Sequence, residues 1–234
     1  FRRSEGLRGF FNILISDRNN SYSMDRLEKK YRNILKSNQR RDGNRRYTVP
    51  SSRTYPHQWL WDSCFHAIIY THFDIEYAKN EIRSLLTAQW ENGMLPHIIY
   101  SSESDMHRLD WGSGRTSSIP HPPMIAYAVE RIYREEGDTG FVEEVIEALH
   151  RYYSWLQRER MPEGLAVITH PWESGEDDLV SWDDVYRKDR PSKKELEKIK
   201  LGLLPRSGRK SAFRVISLSF NSICIRNLDS MLAL

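Results

Sequence analysis

The chain has 234 residues, with 35 basic against 32 acidic side chains and a formal net charge of +3. Hydrophobic residues make up 39% and charged residues 29%, the balance of a globular chain long enough to bury a sizeable core. That balance argues against a nucleic-acid partner, because the basic groups at Arg40-Arg41, Arg45-Arg46 and Arg206 to Lys210 are each short, and no run approaches the roughly 20 apolar residues of a membrane span.

Leu7 to Ile15 is apolar but broken by Arg8, Gly9 and Asn12, with no small-residue cleavage site after it, so no signal peptide is expected. Cys64 and Cys224 lie far apart in apolar helical settings and read as buried small hydrophobes in a reducing, cytoplasmic compartment.

Residues 1–24 form an N-terminal segment, and 25–234 read as one domain. The first clear helix is expected from Asp25 to about Gln39, where Leu27, Tyr31, Ile34, Leu35 and Asn38 recur at three- and four-residue steps. A polar loop, Arg40 to Pro56, follows. The second helix is placed from about Asp62 to His72, with Phe65, Ile68, Ile69 and His72 on one side. Asp74 caps a third that extends towards Glu91, and Asn92-Gly93 closes it.

Met94 to Tyr100 reads as extended and Ser101 to Ser118 as a polar loop. Pro122-Pro123 opens a fourth helix to Glu136, Gly137-Asp138 turns the chain, and a fifth runs from Thr139 to about Arg160. A short charged helix over Lys193 to Lys200 and a last apolar helix from about Ser217 complete the pattern. Helix pairs joined by short turns and separated by long aromatic loops suit an all-α toroid whose inner helices feed loops into a central cup.

The stretch His170-Pro171-Trp172-Glu173-Ser174-Gly175-Glu176-Asp177-Asp178, followed by Trp182-Asp183-Asp184, gathers carboxylates and indoles where glycine and proline forbid regular structure. A merely solvated acidic loop has no use for Trp172 and Trp182, which bury large areas when packed. Similar groups recur at other loop mouths: Trp59-Leu60-Trp61-Asp62 with His66, Gln89-Trp90-Glu91-Asn92-Gly93 with Pro96-His97, and His121-Pro122-Pro123. Core packing alone is an equal reading for any one tryptophan. For the set beside carboxylates, sugar binding is favoured, because a pyranose lays its C–H face on an indole and offers hydroxyls to carboxylates and amides.

No metal or other cofactor is expected. The histidines form no pair at helical i, i+4 spacing, and there is no glycine-bearing Asp-rich calcium loop. Nucleophilic serine or cysteine chemistry lacks its strained glycine elbow.

Tyr55-Pro56-His57-Gln58-Trp59-Leu60-Trp61-Asp62-Ser63-Cys64-Phe65-His66-Ala67, Gln89-Trp90-Glu91-Asn92-Gly93-Met94-Leu95-Pro96, Pro122-Pro123, and Pro171-Trp172-Glu173-Ser174-Gly175 with Asp177 resemble glycoside hydrolase family 63. Within it they are most similar to the compact mannosylglycerate and glucosylglycerate hydrolase branch, with trehalases as more distant relatives. The resemblance implies an all-α (α/α)6 toroid, of which this chain carries the first half or so, and inverting hydrolysis of an α-glycosidic bond in a small glycoside.

The resemblance further implies that Asp177 is the general acid of a Glu-Ser-Gly-X-Asp motif. Trp61, Asp62, Trp172 and Gly175 match residues that line the sugar site. Trp59, His66, Gln89 and His121 complete the expected substrate-binding set. The partner base is a glutamate late in the family's toroid, expected beyond Leu234.

Two departures stand out. Asp178-Leu179-Val180-Ser181-Trp182 replaces the family's Asn-Ser-Pro-Arg-Trp, and His121 stands where Gln precedes Pro-Pro. They leave two other readings open: a non-catalytic or degenerate carbohydrate-binding protein, and an inactive truncated fragment whose bare helix faces form homo-oligomers.

Overall fold

The computed structural model describes residues 18–177, 179, 180, 182, 194 and 213–234, with side chains from Arg26 onward. Two compact units divide the chain, 1–39 and 40–234. The first is described as a single helix, α1 (Arg18–Asn38), which starts earlier than its apolar spacing implies. Leu27, Tyr31 and Ile34 of that stripe are exposed, and Leu35 is buried.

The second unit begins with a hairpin where a loop was expected. Strands β1 (Gln39–Asp42) and β2 (Arg45–Thr48) pair around Gly43. The turn residues Asp42-Gly43 signal this hairpin, but the arginines on both sides mask any alternation of apolar residues.

Four helices form the body of the unit. These are α2 (Leu60–Tyr70), α3 (Ile75–Leu86), α5 (Ile125–Glu136) and α6 (Thr139–Arg160); the short α4 (Asp105–Trp111) lies between α3 and α5. Helix starts follow their caps. Asp74 accepts from the Tyr77 N–H at 3.0 Å and Asp138 from the Phe141 N–H at 3.1 Å, which satisfies donors that the first turn leaves open. Helices α2 and α3 are neighbours, α5 packs on both, and α6 packs on α3 and α5. These are helix pairs joined by short turns, as in an α/α toroid.

The buried stripe of α3 runs through Ala78, Ile82 and Leu85, and that of α6 through Phe141, Val145, Leu149, Tyr152 and Leu156. Each large side chain so removed from water contributes about 1.5–3 kcal/mol. Helix α2 departs from the expected face. Leu60, Ser63, Cys64, Ala67 and Tyr70 are buried, whereas Phe65 and Ile69 are exposed. Because α2 is apolar nearly all round, its sequence does not define the angle at which it meets its neighbours.

Helix α3 stops at Leu86, short of the expected Glu91. Helix α4 occupies the supposed polar loop 101–118, opened by Ser104, which accepts from the Met106 N–H at 3.2 Å, and closed by Gly112. The last helix, α7 (Leu218–Ala233), starts with Ser217 as its cap and packs on α5. There Glu130 accepts from Arg226 at 2.7 Å and from Ser230 at 2.8 Å, and Asn227 accepts from the Tyr127 N–H at 2.9 Å. Of the charged helix expected over Lys193 to Lys200, Lys194 is among the described residues and is helical, and the rest lies outside them. Both cysteines are free and buried, and among the described residues no helix is long and apolar enough to cross a membrane.

Candidate active site

The start of α2 is pulled into place by backbone pairing. Strand β3 (Gln58–Trp59) pairs antiparallel with β4 (Ile98–Ile99), with Trp59 opposite Ile98. The Leu60 N–H donates to His97 O at 3.0 Å, and the His97 N–H donates to Ile119 O at 2.8 Å. Three separate loop mouths, near residues 59, 97 and 119, are thereby laced together. Beneath the pairing, Gln58 is fully buried. It accepts from Arg45 at 2.7 Å and from Ser84 at 2.8 Å, and donates to Ser63 at 3.0 Å.

Above this lacing lies a cavity of about 460 Å³, within the range of small-ligand sites. Its walls bring together seven of the nine residues expected in the site: Trp59, Trp61, Asp62, His121, Trp172, Gly175 and Asp177. The indoles and imidazoles pack edge-on and tilted. Trp59 meets His97 at 5.3 Å between centroids, Trp61 meets His121 at 5.2 Å and Trp172 meets Trp111 at 6.0 Å. Such contacts stiffen a basin without filling it.

His66 and Gln89 are not part of that wall. The His66 ring is held near the Thr48 backbone, and burial lowers its pKa to about 4. Gln89 spends its amide on structure, donating to Gly93 O at 2.9 Å and Ala148 O at 2.8 Å and accepting from Arg151. The whole 89–93 turn is pressed on α6, where a Cβ on Gly93 would sit 2.6 Å from Arg151 O. Trp90 turns its N–H to Thr116 at 3.0 Å.

Wall residues outside the expected site set are Pro50, Tyr55, His97, Ile98, Tyr100 and Trp111. Trp111 carried the same signal as Trp172, a large indole in an otherwise polar segment. Tyr100 carried none.

Burial sets the charge state of the basin. His97 is buried and its pKa is held well below the ordinary imidazole value, first by desolvation and then by the neighbouring His121 and His170. Its Nδ1 lies 2.5 Å from Ser117 Oγ. Desolvation also lowers His121 to about 3. Its Nδ1 faces the Trp61 N–H at 3.5 Å and accepts from it, which places the neutral ring's proton on Nε2. The basin therefore carries neutral imidazoles and two carboxyl groups, Asp62 and Asp177. Burial raises Asp62 to about 6, partly offset by its own backbone N–H and Trp61.

The acidic loop sorts its carboxylates by partner. Glu173 is fully buried, accepts from Arg160 at 3.1 Å and from the Thr169 hydroxyl at 2.7 Å, and holds the loop to the end of α6. Burial raises its pKa, against the pull of Arg160. Pro171–Ser174 makes one 3-10 turn that ends at Gly175 with φ of +70°. Glu176 turns to Ser219 at 2.7 Å. Asp177 is exposed and lies on the cavity wall. Of the two indoles, only Trp172 belongs to the cavity. Trp182 packs with Ile168, Phe213 and Phe220, and its N–H donates to Glu176 O at 2.7 Å. Asp178 and Asp183 lie outside the described residues. No cluster of metal-ligating side chains occurs among the described residues.

The chain is similar to known proteins. Residues 55–234 match the mannosylglycerate hydrolase MGH1-like glycoside hydrolase domain. A mannosylglycerate hydrolase of Rubrobacter radiotolerans is 35% identical over 175 residues, covering 64% of this chain and 40% of that protein. A glucosylglycerate hydrolase of Mycolicibacterium hassiacum is 33% identical over 170 residues, 62% of this chain and 38% of that protein. The crystal structure of the GH63 mannosylglycerate hydrolase from Thermus thermophilus in complex with glucose superposes with a TM-score of 0.74 at 32% identity, over 88% of this chain and 56% of that one. The chain spans 32% to 56% of the curated relatives it matches. A profile match over most of the chain, together with a shared helical toroid at this identity, shows that the chain belongs to the mannosylglycerate hydrolase MGH1-like glycoside hydrolase family.

Proposed function

We propose that the protein hydrolyses the α-glycosidic bond of a small glycoside of the mannosylglycerate or glucosylglycerate type, with inversion and with Asp177 as general acid. The observation that carries this reading is the joint placement of Trp59, Trp61 and Trp172 with Asp62 and Asp177 around one cavity. Indoles receive the apolar sugar face, and Asp62 and the Nε2–H of His121 take hydroxyls.

In the step proposed, the Asp177 carboxyl proton passes to the bridging oxygen as the C1–O bond breaks. Water adds to C1 from the opposite face and loses its proton to a second carboxylate, which in inverting enzymes stands about 6.5–9.5 Å from the acid. The family resemblance gives that role to a glutamate late in the toroid. The described wall holds two carboxylates and neither lysine nor arginine. It therefore suits the hydroxyls of a sugar. Free, buried Cys64 and Cys224 favour a reducing, cytoplasmic setting.

The test is release of free mannose or glucose from the two glycerate glycosides by the protein as naturally produced, alongside Asp177→Asn. Loss of about 10²–10⁴ in turnover with sugar binding retained is expected of a missing general acid. Near-normal hydrolysis by Asp177→Asn ends the assignment. A second reading, carbohydrate binding without catalysis, is favoured by the altered segment Asp178 to Trp182; it requires that the unaltered protein bind sugar and release none.

A further inference from the structure

We propose that Glu176 is a positioning residue for Asp177, acting through a tether to Ser219 at the start of α7; this rests on Asp177 being the general acid. Residue 176 is the unspecified position of the Glu-Ser-Gly-X-Asp motif, so nothing in the motif assigns it a task. Its surroundings do. The Glu176 carboxylate accepts from Ser219 Oγ at 2.7 Å, its N–H donates to Ser174 Oγ at 3.0 Å, and its carbonyl accepts from the Trp182 indole at 2.7 Å. The backbone of this residue is thus held within the acid loop and its carboxylate by α7, one residue before the side chain that reaches the cavity.

Solvation alone does not account for that geometry. Ser219 occupies the first turn of α7, next to the Ser217 cap, whose hydroxyl lies 3.1 Å from the Ser219 hydroxyl. A carboxylate there is favoured by the positive end of the helix, and a bond from a hydroxyl to an ionised carboxylate is stronger than a neutral one.

The anchor is itself fixed. Asn221 receives the Ala166 N–H at 2.7 Å and donates to Ala166 O at 2.9 Å, while Ile168 and Val215 form a backbone bridge. Glu176 therefore ties the acid loop to a helix clamped to α5 and to the segment after α6. A glutamate at this position supplies reach and charge that an apolar residue would lack.

Positioning of an acid has a kinetic mark that general stabilisation lacks. An alkyl glycoside needs its leaving oxygen protonated, whereas an α-glycosyl fluoride expels fluoride without that proton. The protein as naturally produced would be assayed with a glycerate glycoside and with the matching α-mannosyl or α-glucosyl fluoride. Glu176→Ala and Ser219→Ala are each expected to lower kcat on the glycoside about 10- to 100-fold, with KM and fluoride hydrolysis within about threefold of the unaltered protein. Glu176→Gln, which keeps an acceptor for Ser219, should recover to within about fivefold, and the double alanine variant should lose no more than either single one.

Equal losses on both substrates, or no loss on either, overturn the tether. Asp177→Ala separates this from the parent reading. If that variant loses the glycoside selectively and Glu176→Ala does not, only the tether is wrong. If Asp177→Ala shows no selectivity, the acid assignment is wrong. Should Glu176→Ala fail to fold by circular dichroism, Ser219→Ala and Glu176→Gln decide the matter on the same two substrates.

Discussion

A Cβ placed on Gly175 would lie 2.5 Å from Cζ2 of Trp61 and 2.7 Å from its Cη2. The indole at the start of α2 thus rests on the backbone of the acid loop at a distance only glycine allows, and φ of +70° makes the same demand. Two walls of the cavity, far apart in sequence, are set against each other at this one point. Gly175→Ala is expected to cost about 2–4 kcal/mol through backbone strain and overlap together. It should also displace Trp61. Thermal melting and glucose titration of the variant check both effects, and an unchanged melting temperature would refute the close approach.

Asp62 should impart an acid limb to sugar binding. Its folded pKa is raised to about 6 by burial, so below that pH it carries a proton and, in the role proposed for it, would lose acceptor capacity for sugar hydroxyls. Affinity measured by calorimetry should fall as pH drops through 6, and Asp62→Asn should bind weakly with little dependence on pH over that range. A raised carboxyl also means that the folded chain holds a proton the unfolded chain has released. The Asp62 contribution to stability therefore declines as pH rises from the ordinary value of 3.8 to about 6.

Glu81 offers a stronger case away from the cavity. It lies fully buried on α3, neither oxygen makes a well-formed hydrogen bond, and burial lifts its pKa from 4.5 to about 8 despite nearby Thr48 and Ser63. By the same linkage, stability should decline as pH rises between those values, because the unfolded chain ionises first. Melting curves at pH 5, 7 and 9 should show this decline in the unaltered protein and a flatter profile in Glu81→Gln. Parallel profiles would exclude Glu81 as its source.

For the 234-residue chain taken by itself, homo-oligomers are proposed from the apolar groups of α7. Ile225 is 59% and Leu232 88% exposed, with Leu228 also open to solvent, and such surface favours association. Light scattering should give a mass above that of one chain, returning to one chain in the double variant Ile225→Lys, Leu232→Lys. A monomer in the unaltered protein rules this out.

By itself, the sequence determined the helical class, the cap Asp74, the turn at Gly137-Asp138 and the last helix start near Ser217, and the gathering of indoles and carboxylates at loop mouths. Each depends on local chemistry: short polar side chains satisfying a first turn, or proline and glycine interrupting a ladder. Only the tertiary structure decided which face of α2 is buried, since an almost wholly apolar helix has no polar side to orient it. It also decided that Glu173 holds the loop while Asp177 reaches the cavity, that Trp182 packs beneath while Trp172 lines the wall, and that Gln89 and His66 serve structure. Adjacent residues of one type are equivalent in composition. What separates them is whether Arg160, Ser219 or the cavity faces each one, and those neighbours come from elements up to 43 residues away.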